Sequence, residues 1–134
     1  MIARLGKLCE AAMLRDLINQ GLVMRLYVND HQPKRADSAE DYTEAQGGGY
    51  APKLLTPGLW RIVERDDGLV AEFPELQWEF TGRVGDVHGY YVVAKSGEYR
   101  WAFRFVDESG TPTTYPIRVA GDRIRVSVSA SLGI

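Results

Sequence analysis

The chain has 134 residues, 45% of them hydrophobic and 25% charged, which suits one soluble domain around a single core. A formal net charge of -2 excludes a global field that would draw it onto nucleic acid or an anionic membrane. The single cysteine, Cys9, excludes an internal disulfide and any zinc site that needs several thiolates, and makes a reducing compartment the simplest context for folding.

Residues 2–20 are predicted to be helical. Ile2, Leu5, Leu8, Cys9, Ala12 and Met13 cluster on one side at a helical period, and Leu14, Leu17 and Ile18 widen the apolar surface beyond one stripe. Gly21 is the expected stop. The helix is expected to lie as a lid on the rest of the domain, or alternatively to serve as an arm that docks on another subunit. It is not expected to be a signal peptide, because Arg4, Lys7, Glu10, Arg15 and Asp16 interrupt any apolar run. No stretch approaches the roughly 18 apolar residues of a membrane span.

Leu22, Met24, Leu26 and Val28 form the buried face of a first predicted strand. The polar segment 29–49 follows, with Pro33 inside it and Gly47-Gly48-Gly49 at its end. A connection longer than about 12–15 residues is uncommon in a small domain, so this segment is a candidate for partner contacts. Tyr42, a large aromatic among polar residues, is expected to anchor it in a pocket. Strands are then predicted at 60–65 and 69–73, joined as a hairpin by Asp66-Asp67-Gly68, and at 76–80. Tyr90–Ala94 is nearly all apolar and suits a central strand covered on both faces. The Tyr99, Trp101, Phe103, Phe105 comb comes next, with Arg100, Ala102 and Arg104 on its other face. Residues 115–120 read as an edge strand, because Pro116 cannot donate to a ladder. Ile124, Val126, Val128, Ala130 and Leu132 alternate with Arg123, Arg125 and serines in the last strand. The fold expected is a single mainly β domain over 1–134: an N-terminal helix or arm at 1–21 and, over 22–134, an antiparallel β-sandwich or jelly-roll-like body of about eight strands.

Reactive constellations are sparse. Gly47-Gly48-Gly49 precedes Tyr50-Ala51-Pro52 and not a helix, which argues against a phosphate cradle. His31 and His88 lack metal-ligand spacing, and Asp37, Glu40, Asp41 and Glu44 lack the pattern of a calcium loop, so no metal or cofactor is expected. No Ser sits in a nucleophile elbow, and Cys9 reads as a packing residue. Glu72, Glu75 and Glu79 could supply a carboxylate pair, but Glu79 falls on a polar strand face, which makes solubility its simpler role. The basic residues are mostly Arg, Lys occurring only at Lys7, Lys34, Lys53 and Lys95. That excess suits interface contacts, and a GC-rich genome would account for it equally. Arg100 with Arg104, and Arg123 with Arg125, are each expected on one outward strand face. If close together they form a basic patch for a salt-linked interface, the simpler alternative being ordinary exposed strand chemistry.

The order Leu26-Tyr27-Val28-Asn29-Asp30, Pro33, Asp41-Tyr42-Thr43-Glu44-Ala45 and Gly49-Tyr50-Ala51 resembles a small β-rich structural family encoded by tailed bacteriophages. Trp78-Glu79-Phe80-Thr81, Gly89-Tyr90-Tyr91-Val92-Val93, Trp101-Ala102-Phe103-Arg104-Phe105 and Gly121-Asp122 continue the resemblance to about residue 134. Gln46-Gly47-Gly48 departs from it, since the family usually carries a bulkier residue before Gly-Tyr. The resemblance implies a virion structural protein, assembled in the host bacterial cytoplasm, and not an enzyme. A capsid decoration or cement protein on the major capsid protein is the first expectation. A tail or fibre module that binds a host-surface glycan is the alternative, and a small polysaccharide hydrolase a more distant one. The interface residues expected are Tyr42, Tyr50, Arg100, Arg104, Arg123 and Arg125, in a homo-oligomer, with a trimer favoured because icosahedral shells offer three-fold sites.

Overall fold

A computed structural model describes residues 5–132. One helix, α1 (Lys7–Ile18), precedes nine strands: β1 (Val23–Tyr27), β2 (Lys53–Leu54), β3 (Arg61–Arg65), β4 (Gly68–Glu79), β5 (Gly85–Val87), β6 (Gly89–Val93), β7 (Tyr99–Arg104), β8 (Tyr115–Ile117) and β9 (Arg123–Ser131). They form an antiparallel β-sandwich. One sheet has the order β2-β1-β6-β7, the other β3-β4-β9, and β5 pairs with β8 in a two-stranded ribbon.

Alternation explains the main core. Leu22, Met24, Leu26, Tyr90 and Val92 from the first sheet meet Leu69, Ala71, Phe73, Trp78, Ile124, Val126 and Val128 from the second. Each buried side chain of this size contributes roughly 1.5–3 kcal/mol, so this layer supplies most of the driving force.

The helix packs with a different face from the one its sequence suggests. Ala11, Leu14 and Ile18 are buried in the core, with Leu17 against them. Leu5, Leu8, Cys9 and Met13 are exposed, so Cys9 is not a packing residue. Ile2 lies outside the described residues. The Glu10 carboxylate accepts the Leu69 N–H at 3.1 Å and ties the helix to the start of β4.

Two bulges change the expected strand phases. The segments expected at 69–73 and 76–80 are one strand, β4, whose register on β9 shifts between Phe73 and Leu76. Pro74 is tolerated there because β3 begins at Arg61, opposite Glu72, so no β3 residue pairs with β4 beyond that point. In β7, Val92 opposes Trp101 while Val93 opposes Tyr99, so Arg100 is the extra residue. Tyr99 therefore faces the opposite side of the sheet from Trp101, not the same side: Trp101 packs on the main core and Tyr99 on a second, smaller one.

That second core explains why all of β6 is buried. The outer face of the β1-β6-β7 sheet presents Val23, Tyr27, Tyr91, Val93, Tyr99 and Ala102, and segment 28–50 folds across it with Tyr42 and Ala39. The sheet is thus covered on both faces.

Candidate functional site

The strap formed by residues 28–50 is fastened at both ends. Val28 N–H donates to Thr43 O at 2.9 Å and Ala45 N–H to Leu26 O at 2.8 Å, which continues β1 into a short bridged pair. The Asn29 side chain donates to Asp41 O at 3.0 Å and accepts from Thr43 N–H at 2.8 Å. Ser38 and Asp41 cap the 3₁₀ turn at Ala39–Asp41.

At the strap's centre Tyr42 is 5% exposed. Its ring stacks on Tyr91 at 4.9 Å and Tyr99 at 5.4 Å, and meets Tyr27 and His31 edge-on at 5.0 and 4.9 Å. Its hydroxyl donates to Asp37 at 2.7 Å, and Asp37 also contacts His31 Nε2 at 2.8 Å and accepts the Lys34 N–H at 2.8 Å. Burial raises the Tyr42 hydroxyl pKa, and the bonds to Tyr99 and Asp37 add to it, so the phenol stays protonated and donating. Burial also pushes the Asp37 carboxyl upward, but the bonds from His31, Lys34 N–H and Tyr42 outweigh it and lower the pKa from 3.8 to about 2. Ionised Asp37 therefore contributes stability that is present above the ordinary carboxylate pKa and lost as pH falls from about 4 through about 2. Denaturant titrations across that window are expected to show wild type losing more stability on acidification than Asp37→Asn.

Tyr50 closes the other end of the strap. Its hydroxyl donates to Glu44 at 2.8 Å and accepts the Leu26 N–H at 3.1 Å, while Glu44 pairs with Arg25 at 3.0 Å. Asp37, Asp41 and Glu44 are thus engaged separately within the strap, and no group of three His, Cys, Asp or Glu residues among the described residues could hold a metal ion. Gly47, Gly48 and Gly49 all have positive φ and turn the chain tightly against residues 81–84. A side chain on Gly48 would lie 2.7 Å from Val84 and strike the Gly82 carbonyl, which accounts for the absence of a bulkier residue there.

The arginines do not form the expected patch. Arg104 is only 13% exposed: it pairs with Asp30 at 2.6 Å, lies 3.5 Å from His88 Nδ1, and its Nε is buried without a partner. Arg100, at the bulge, donates to Gln20 at 2.7 Å and pairs with Glu98 at 3.2 Å. Both lie on the first sheet and bind within the chain, so reversing their charge would disturb the fold as well as any contact. Arg123 and Arg125 lie on the outer face of the other sheet, near Glu79 at 3.6 Å and bonded to Gln77 at 3.1 Å. Glu72 and Glu79 share that open face, Glu72 pairing with Arg65 at 3.0 Å.

An open groove of about 290 Å³ lies between the sheet edges, lined by Phe103 and Phe105 of β7 and its extension, by Tyr115, and by Arg125, Ser127 and Ser129 of β9. Phe103 is 48% exposed and stacks on Tyr90 at 5.7 Å. Sequence reading missed this groove, because Phe103 appeared there as ordinary core alternation. Compared with known protein families, characterised proteins and solved structures, the chain matches none.

Proposed function

We propose that this chain is a bacteriophage virion structural protein that decorates the capsid by docking on the major capsid protein. The observation that carries the reading is the outward face of α1. Leu5, Leu8, Cys9 and Met13 project away from the sandwich, Leu8 at 86% exposure, although the same helix already buries Ala11, Leu14 and Ile18 beneath it. A helix apolar on both sides is suited to a site between two bodies. The residues that carry the resemblance to the phage family support it too. Tyr27, Asn29, Tyr42, Glu44 and Tyr50 together build the strap and its fastening. A rigid, doubly covered sheet serves a part that must hold its shape in an assembly.

The glycan-binding alternative draws on the aromatic groove, where Phe103 and Tyr115 offer ring surface. Its polar lining is Arg125, Ser127 and Ser129, without the acidic and amide groups that would grip sugar hydroxyls. The hydrolase reading needs two carboxylates facing across a cleft, whereas Glu72 and Glu79 lie on an open sheet face, each beside an arginine.

The test is binding of the purified chain to assembled shells that lack it. Wild type is expected to saturate regular sites, and Leu8→Glu to bind at least about tenfold more weakly with an unchanged melting curve, since truncating a central apolar anchor costs 1.4 kcal/mol or more. Equal binding of the two, or no binding of wild type, would overturn the proposal.

A further inference from the structure

Among the described residues the sheet edges are blunted to different degrees, β9 least. β2 has two residues, β5 and β8 three each, and β8 contains Pro116. β3 carries Arg61, Glu64 and Arg65 among its five residues. β7 is bulged at Arg100, and beyond it the bond from Thr113 N–H to Phe105 O, 3.0 Å, covers the chain. These are the devices by which natural sheets avoid pairing with other chains. β9 shares with β3 only outward charges, at Arg123 and Arg125: it runs nine residues without Pro, Lys, an inward charge or a bulge of its own. Among the described residues, its backbone pairs only with β4. Beside this open edge lie the exposed side chains of Phe103, Val106 and Tyr115.

We propose that β9 pairs antiparallel with β9 of a second copy of this chain, about a two-fold axis at Ser127, joining two three-stranded sheets into one continuous sheet. The sequence of β9 is self-complementary in that register. All nine residues pair, and Arg123 opposes Ser131, Arg125 opposes Ser129 and Ser127 opposes itself on the outer face. On the inner face Ile124 meets Ala130 and Val126 meets Val128. Centring the axis on Arg125 would oppose two arginines, and centring it on Ile124 would oppose Arg123 to Arg125; like charges directly opposite destabilise a strand pair. The contact is isologous, so it closes as a dimer and does not propagate. It takes the place of the trimer favoured on the ground that icosahedral shells offer three-fold sites. It is independent of the virion reading, since it concerns the isolated chain in solution.

The test is molar mass by light scattering and sedimentation across a concentration series of the full chain. Wild type is expected to be dimeric. Ser127→Glu and Ser127→Lys, each placing like charges on the axis, should weaken the dimer by roughly tenfold or more, and an equimolar mixture of the two should restore it. Ser127 is exposed, so melting curves should stay close to wild type. A second measurement uses a Cys9→Ser background. There Ser127→Cys should form an intermolecular disulfide on mild oxidation, because directly opposed Cα atoms lie about 4.5–5.5 Å apart, whereas Arg123→Cys should not. A monomeric wild type would overturn the proposal. So would a Ser127→Glu variant that keeps the dimer mass, or cross-linking that fails at Ser127; a mass increase seen only with a foreign peptide bound would assign the edge to another partner.

Discussion

Tyr42→Ala is expected to destabilise the fold by roughly 3–5 kcal/mol, the range for removing a buried aromatic side chain. The ring is the common contact of Tyr27, His31, Tyr91 and Tyr99. Its loss also withdraws a hydroxyl donor from Asp37. Tyr42→Phe keeps the stacking and loses only the hydroxyl, so it should cost less, about 1–2 kcal/mol. Urea unfolding of the two variants separates the contributions. Equal losses would assign the effect to the Asp37 hydrogen bond, and negligible losses in both would mean that the strap is not energetically joined to the sheet.

Gly89→Ala is expected to be comparably severe, at about 3 kcal/mol or more, for a steric reason. Gly89 opens β6 opposite Arg104, and a Cβ there would overlap the Phe103 carbonyl oxygen and lie 2.7 Å from Tyr27 Cε1. Backbone on one side and a fully buried ring on the other leave no direction in which to relax. The measurement is the urea midpoint of the purified variant, or its absence from the soluble fraction. A midpoint within error of wild type would show that β6 and β7 separate more readily than their packing implies.

The parts of the fold that were legible in the sequence share one property: an uninterrupted period. The β9 comb of Ile124, Val126 and Val128 and the apolar run of β6 were both readable, because alternation and its absence report directly how many faces are covered. Tyr42 was readable as an anchor because a large aromatic in a polar segment has one economical place to go. The bulges were not. An extra residue inverts the phase of everything beyond it, so Tyr99 and Trp101, two apart in sequence, face opposite sides. Strands as short as β2 and β5 carry no periodicity at all. On α1 both faces are apolar, and sequence cannot tell which one the sandwich will cover. Arg104 misled for a related reason. An arginine alternating with aromatics looks solvent-facing, yet the strap brings Asp30 over that face and encloses it.

Segment 28–50 is a fixed part of the sandwich. Amide hydrogen exchange followed residue by residue tests it most directly. The amides of Val28, Thr43 and Ala45, bonded to Thr43 O, Asn29 Oδ1 and Leu26 O at 2.8–2.9 Å, are predicted to exchange only through openings nearly as costly as global unfolding, alongside the amides of β1 and β6. Exchange at those three positions at the rate of an unstructured peptide, with β1 and β6 still protected, would contradict it.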